Sequence, residues 1–286
     1  MYFRLHLGRK AVWILLIVLA LLAVYPVIFL SAGSLMGADE LEDCLGAVVS
    51  GAEGYASFPV LPKYPTLQHF AEVLLDSPEF FVMFWNSILI TFGVLGGQFV
   101  AGTMAAWGFA RYEFPCKRGI FLLYIVLMLL PFQVLMLSDY LLLDRLRLLD
   151  SLWAVILPGM FSTFPVFIMY RFFAEIPDSL IESARLDGAR EWQLFWYLAL
   201  PMGSSGIIAA LVLGFLEYWS LIEQPLTFIK DKSKLPLSVF LPDLTMTGKA
   251  GFLFAVSVVT FLPAIIVFMG GRDYLEQGIM AGAVKE

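Results

Sequence analysis

The sequence predicts an all-α integral membrane protein: six transmembrane helices, with a short amphipathic cytoplasmic helix between the fourth and the fifth. Three observations carry that expectation. The 286 residues are 60% hydrophobic and 15% charged, with a mean hydropathy of +0.84; an average soluble domain is about 45–50% apolar and about 25% charged. Six separate runs are apolar over the roughly 20 residues that a helix needs to cross about 30 Å of hydrocarbon. Lys and Arg then fall unevenly on the two sides of the resulting topology. A soluble fold of this length must expose part of its surface to water and has no place for so much apolar area.

In chain order, a cytoplasmic tail of residues 1–10 precedes the first span, Ala11–Leu30, which with a long extracytoplasmic loop makes up residues 11–83. The remaining spans are Ser87–Ala110, Gly119–Leu137, Leu152–Phe172, Ser205–Phe228 and Gly251–Gly270, a core of residues 84–272 followed by a cytoplasmic tail, 273–286. Orientation rests mainly on Arg4, Arg9 and Lys10 ahead of the first span, which place both termini in the cytoplasm. The acidic run Asp39-Glu40-Leu41-Glu42-Asp43 then lies outside. The first span also has the basic start and small-residue end (Ser31-Ala32-Gly33) of a secretory signal. Its apolar run is longer than the roughly 7–15 residues of a signal core, which favours a retained span.

Gly93 and Gly97, four residues apart in span two, allow close helix approach. Pro131, Pro158, Pro165 and Pro263 interrupt later spans and free carbonyls that need other partners. The outer segments Gly37–Phe81 and Ile229–Ala250 are solvated loops or contact surfaces for a soluble partner. Cys44, Cys116, His6 and His69 show no metal-ligand spacing, so no metal or cofactor is expected on this chain. A net charge of −6 argues against nucleic acid as a partner.

Between spans four and five, Ser179-x-x-Glu182 has the spacing of a capping box, and Gly188 suits the left-handed turn that ends a helix. A second helical stretch, Glu191–Leu200, leads to Pro201 and span five. Ala184 and Gly188 lie one turn apart and give the helix a nearly bare face, flanked by Glu182, Asp187, Arg185 and Arg190.

Glu182-Ser183-Ala184, three residues, Gly188, nine residues, then Leu198-Ala199-Leu200-Pro201 closely resembles the EAA loop of bacterial ATP-binding cassette importer permeases. In that family the pattern is Glu-Ala-Ala, three residues, Gly, nine residues, Ile, one residue, Leu-Pro; here Ser183 replaces one Ala and Leu198 the Ile. Trp85-Asn86-Ser87, Ala106-Trp107-Gly108-Phe109-Ala110-Arg111-Tyr112-Glu113-Phe114-Pro115 and the C-terminal Gln277–Glu286 look like its carbohydrate-uptake branch, most nearly the smaller six-span permease of the maltose importer.

The resemblance implies a type I importer permease in a bacterial inner or plasma membrane. Glu182, Ser183, Ala184, Asp187, Gly188, Leu200 and Pro201 would form the coupling site for a separate ATPase, and Gly282, Val284 and Lys285 would reach the same interface. Implied partners are two ATP-binding cassette subunits that use ATP and Mg, a second homologous permease, an extracytoplasmic solute-binding protein and the lipid bilayer.

No Gly-x-x-x-x-Gly-Lys-[Ser/Thr] loop occurs, and Thr247-Gly248-Lys249 lacks the upstream glycine, so the chain itself is expected to be non-enzymatic. Glu217, Tyr218 and Trp219 are the candidates for the substrate path, because an intramembrane carboxylate costs about 2.5–3.5 kcal/mol unless it faces a polar route or a partner. A carbohydrate is the expected cargo, with glycerol phosphate, phosphonate or an amino acid as alternatives. An ion-gradient carrier is the reading of a different class; it requires central ionisable residues and an inverted repeat and leaves the coupling loop without a purpose.

Overall fold

The computed structural model describes residues 2–49, 55, 57, 61–240 and 250–283, and the regular structure among them is helical throughout. The chain divides into two compact units, Met1–Phe80 with Leu241–Leu262 and Phe81–Phe240 with Pro263–Glu286.

In the first unit, α1 (Tyr2–Gly33) contains the most apolar of the candidate spans, Val12–Gly33, and buries only its last two residues, Ala32 and Gly33, within the protein. A helix that is apolar all round is what lipid, not a protein core, requires. Phe254 of the last helix, α13 (Ala250–Ala283), covers Gly33 so closely that a Cβ there would lie 2.7 Å from its ring, and it meets Phe29 edge-on at 5.4 Å. The outer segment is ordered by α2 (Ala38–Val49) and α3 (Gln68–Leu75). Asp39 and Glu40 sit in the first turn of α2, where a helix favours negative charge. The Glu40 carboxylate accepts the Lys63 N–H at 2.8 Å, and Thr66 N–H donates to Leu35 O at 2.8 Å, folding the loop back on itself.

The second unit is built around α4 (Pro78–Arg111), which opens on a proline at a position needing no N–H and contains one π-helical turn at Gln98–Gly102. Gly93 and Gly97 receive α7 (Trp153–Met160): a Cβ on Gly97 would lie 2.2 Å from Met160 Cγ, and one on Gly93 3.1 Å from Ile156. The close approach expected of this glycine pair is present, against span four.

Two expected spans are not single straight helices. The run at Gly119–Leu137 is α5 (Lys117–Leu129) and α6 (Phe132–Arg145), meeting at 105°. Pro131 forces Leu130 out of the helical region to ψ 128, and the chain turns there. The span expected to reach Phe228 stops at Trp219, the end of α11 (Ser204–Trp219), and restarts as α12 (Glu223–Phe228). A continuous helix would drive the Pro225 ring into the Leu221 carbonyl; the break frees that carbonyl, and the Ser238 hydroxyl donates to it.

Span four survives with an interruption: α7 ends after Pro158, Ser162 is extended, and α8 (Thr163–Ala174) resumes with Pro165 in its first turn. Among the described residues four helices are long and apolar enough to cross a membrane, or up to six spans if each bent pair counts as one. Near the loop that joins spans four and five, Gly203 and Gly206 meet Phe173 and Phe172 of span four, with no room for a Cβ at either glycine.

On the outer side, Asp150 straps two loops together. Its carboxylate accepts Lys230 N–H (3.0 Å) and Asp231 N–H (2.8 Å), and Lys234 Nζ lies 3.5 Å away. These backbone donors, with Lys234, hold the Asp150 carboxyl below its ordinary range.

Two outcomes follow from this packing. Gly97→Ala should lower the melting temperature of the purified chain, overpacking costing about 1–3 kcal/mol, whereas Gly96→Ala, with nothing within 4 Å of the added methyl, should not. Because its folded-state pKa is depressed, Asp150 contributes its strap above the usual carboxylate range and loses it as pH falls through the lowered value. Limited trypsinolysis at Lys230–Lys234 should therefore accelerate in Asp150→Ala at neutral pH.

Candidate coupling site

The segment after span four forms α9 (Asp178–Leu186), a turn, and α10 (Glu191–Met202), which joins α11 at a 71° bend at Gly203. Gly188 ends α9 as expected. Its φ is +89°, a value glycine adopts without penalty, and the adjoining N–H groups close on the last carbonyls, Gly188 to Arg185 and Ala189 to Ala184, both at 3.0 Å.

The start of α9 differs from expectation. Pro177, extended at ψ 135, is the cap, no side chain caps the helix, and the Ser179–Glu182 box is not formed. Helix entry is instead fixed from outside the segment. Arg111, at the last turn of α4, donates to Asp178 Oδ1 (2.6 Å), to Phe173 O (2.6 Å) and to Ile176 O. The same guanidinium lies 5.6 Å over the Trp107 ring, and its side chain is only 8% exposed. One buried cation thus closes the end of span four and fixes the start of α9. The back-reaching contact expected of Glu182 occurs at the next helix, where the Gln193 carboxamide accepts Arg190 N–H at 2.8 Å.

A second polar cluster joins α9 to α10. Arg185 pairs with Glu191 at 3.0 Å, and the Tyr112 hydroxyl donates to the other Glu191 oxygen at 2.8 Å. Burial, then this hydrogen bond, pushes the Tyr112 hydroxyl above its ordinary pKa and keeps it a donor. Arg185 is therefore committed within the chain. Ile181 and Leu194 face inward onto Phe173 and Met169, with Ala184, Leu198 and Leu200 packed alongside.

On the outer face a cleft of about 390 Å³ is lined by Ala184, Asp187, Gly188, Ala189, Gln193, Leu194, Tyr197 and Leu198. Beside it Leu186 is 89% and Tyr197 74% exposed. Of the residues named from sequence, Ala184, Asp187 and Gly188 line this cleft, while Glu182, Ser183 and Pro201 are exposed elsewhere on the segment and Leu200 packs against the core. Sequence reasoning did not single out Arg111, Tyr112, Glu191 or Gln193. Arg111 had one available signal: a cation in the last turn of a span, placed to reach carbonyl ends.

The substrate-path candidates separate. Glu217 is exposed on the chain. Tyr218 and Trp219 are each 5% exposed: Tyr218 packs with Ile90, Val94 and Ile156, and Trp219 stacks on Phe215 at 5.4 Å and meets Phe84 edge-on at 5.9 Å. The protein itself therefore packs around both rings. Gly282 lies in α13, whereas Val284 and Lys285 fall outside the described residues, as do Pro59 and Thr247-Gly248-Lys249.

A polytopic helical membrane protein with a short amphipathic helix and a cleft between two spans is the class this architecture defines. Residues 98–281 match the family of binding-protein-dependent transport system inner membrane components, and the chain belongs to that family. It is 27% identical over 279 residues to the arabinooligosaccharides transport system permease protein AraQ of Bacillus subtilis, covering 97% of this chain and 96% of that one. It is 26% identical over 209 residues to the sn-glycerol-3-phosphate transport system permease protein UgpE of Yersinia pestis, covering 72% and 74%. Among solved structures it superposes, with a TM-score of 0.80 at 19% identity over 94% of this chain and 96% of the other, on a chain of a bacterial ABC transporter involved in the import of the acidic polysaccharide alginate. A chain from the alginate transporter in complex with alginate pentasaccharide-bound periplasmic protein aligns with a TM-score of 0.59 at 16% identity, over 94% and 96%.

The Arg111 clamp has a direct test. Arg111→Ala should leave two buried carbonyls without their donor, costing about 1–3 kcal/mol, and should speed amide hydrogen exchange across residues 178–189. Asp178→Ala, which removes only the exposed partner of the pair, should cost no more than about 1 kcal/mol and leave that exchange close to wild type.

Proposed function

We propose that this chain forms half of the translocation pathway of an ATP-driven importer of a mono- or oligosaccharide. In this reading its coupling helix, α9, seats in a groove of a separate ATPase subunit. The observation that carries the proposal is the cleft around Ala184, Gly188 and Tyr197, opened by the left-handed turn at Gly188 and backed by a core continuous with spans two and four. A nearly bare helical face beside exposed Leu186 and Tyr197 suits close protein docking, and the Arg111 clamp makes the docked helix rigid with the membrane core. Two ATP-binding cassette subunits hydrolyse ATP, a second homologous permease completes the pathway, and an extracytoplasmic binding protein delivers the cargo.

Both termini lie in the cytoplasm, consistent with Arg4, Arg9 and Lys10 before the first span, and the tail at Gly282, Val284 and Lys285 reaches the ATPase. Glu217 faces the pathway or the partner permease, the two surroundings that spare an intramembrane carboxylate from lipid. The oligosaccharide permease relative, aligned over nearly the whole chain, favours a sugar; the glycerol phosphate permease relative supports an organophosphate as the second reading.

Gly188→Asp discriminates docking from folding. Nothing lies within 4 Å of a Cβ at Gly188, and Asp is among the residues that visit the left-handed region, so the fold should lose only about 1–2 kcal/mol. Insertion and yield should stay near wild type while ATP-driven uptake and copurification of the ATPase are lost. Wild-type uptake in that variant would remove α9 as the docking element.

A further inference from the structure

The least explained buried group in the second unit is a carboxamide in the middle of span two. Gln98 is 1% exposed and opens the π-helical turn. Its Nε2 donates to Gly159 O at 3.0 Å, next to Pro158 and just before span four breaks at Phe161 and Ser162. Its Oε1 finds no donor within the chain and faces Gly214 of span five, where a Cβ would lie 2.8 Å from it. Gly159 is also enclosed by Val94 and Tyr218, each within 2.9 Å of where its Cβ would be.

Span four is the element from which the coupling helix hangs, yet it is discontinuous at Phe161–Ser162. Its inner half, α8, is bound to span two by the Arg111 clamp and the Trp107–Phe173 contact at 5.6 Å. Span two, unlike span four, continues across the level of that break. A displacement of α8 therefore reaches the outer half, α7, by way of span two. The apolar contacts of Gly93 and Gly97 with α7 hold the two helices together, but such contacts permit sliding; one directional hydrogen bond fixes their register.

We propose that Gln98 is a positioning residue for transport, the register lock through which span two carries the outer half of span four with it during the nucleotide cycle. The proposal rests on the importer reading above for the source of the movement and goes beyond it by naming where the movement crosses the membrane. The Gly159 carbonyl already accepts the local Ser162 N–H at 3.2 Å, so what Gln98 adds is a donor from another span rather than a particular volume. Gln98→Met, similar in size and without a donor, should release the register. Gln98→Glu, kept protonated by burial, supplies an O–H and should retain it.

The test uses the complete transporter, with partner permease and ATPase subunits, in nanodiscs. Cys44 and Cys116 are replaced by Ser, and spin labels are placed at Leu89 and Trp153, both on exposed faces of the outer halves. Pulsed electron resonance is recorded without nucleotide and after trapping with ATP and vanadate. The wild type and Gln98→Glu should each give one narrow distance in both states. Gln98→Met should hydrolyse ATP and, on trapping, acquire a second population displaced by up to about one helical turn, ~5 Å. A single narrow distance in Gln98→Met in both states would overturn the lock, and so would equal broadening in Gln98→Glu, which would reduce Gln98 to a packing residue. Failure of the wild-type assembly to bind or hydrolyse ATP at all would instead overturn the importer reading.

Discussion

The junction of span two, span four and α9 is organised by the Arg111 guanidinium. At the end of span two it meets the last carbonyls of span four and the first carboxylate of α9, while lying over Trp107. Helix ends leave carbonyls unsatisfied, and near a membrane those groups have few water molecules to turn to. A forked cation with several fixed donors satisfies more than one of them at once, which a lysine ammonium on a flexible stem does less well. With this contact in place, the coupling helix is an extension of the packed core of spans two, four and five. Arg185, Glu191 and Tyr112 then fix the angle between α9 and α10.

The same requirement for backbone satisfaction explains the irregularities. Prolines at 131, 158 and 225 each deny the chain a helical hydrogen bond, and each lies at or near a break or bend. The Leu221 carbonyl released by Pro225 is met by the Ser238 hydroxyl, and the Gly159 carbonyl at the end of α7 by the Gln98 carboxamide, each from a distant segment. Small residues provide the rest: Gly97 admits Met160, and Gly203 admits Phe173, at separations no other residue allows. The result is a bundle whose spans are held by tight apolar contacts and interrupted where a polar partner is available.

Much of the fold was legible in the chain. The apolar runs, the glycine pair and the turn at Gly188 came directly from composition and spacing, because lipid and a left-handed backbone each admit few residue types. Less visible was anything that depended on two segments far apart. The Ser179–Glu182 box has the right spacing, yet Pro177 and the Arg111–Asp178 pair determine how the helix begins. Tyr218 and Trp219 have the chemistry of a sugar platform, yet spans two and four pack over them.

The sequence alone thus determined the solvent of this protein, its long apolar runs and the glycine-ended helix between spans four and five. Each follows from local chemistry: hydrocarbon excludes unpaired charge, and a bare helical face with a glycine end needs particular residues at fixed intervals. Only the tertiary structure decided which crossings bend, which aromatic rings are buried, and which cation closes the coupling helix. Those outcomes depend on the competition of distant groups for the same carbonyls and the same apolar space, a competition that no single stretch of sequence contains.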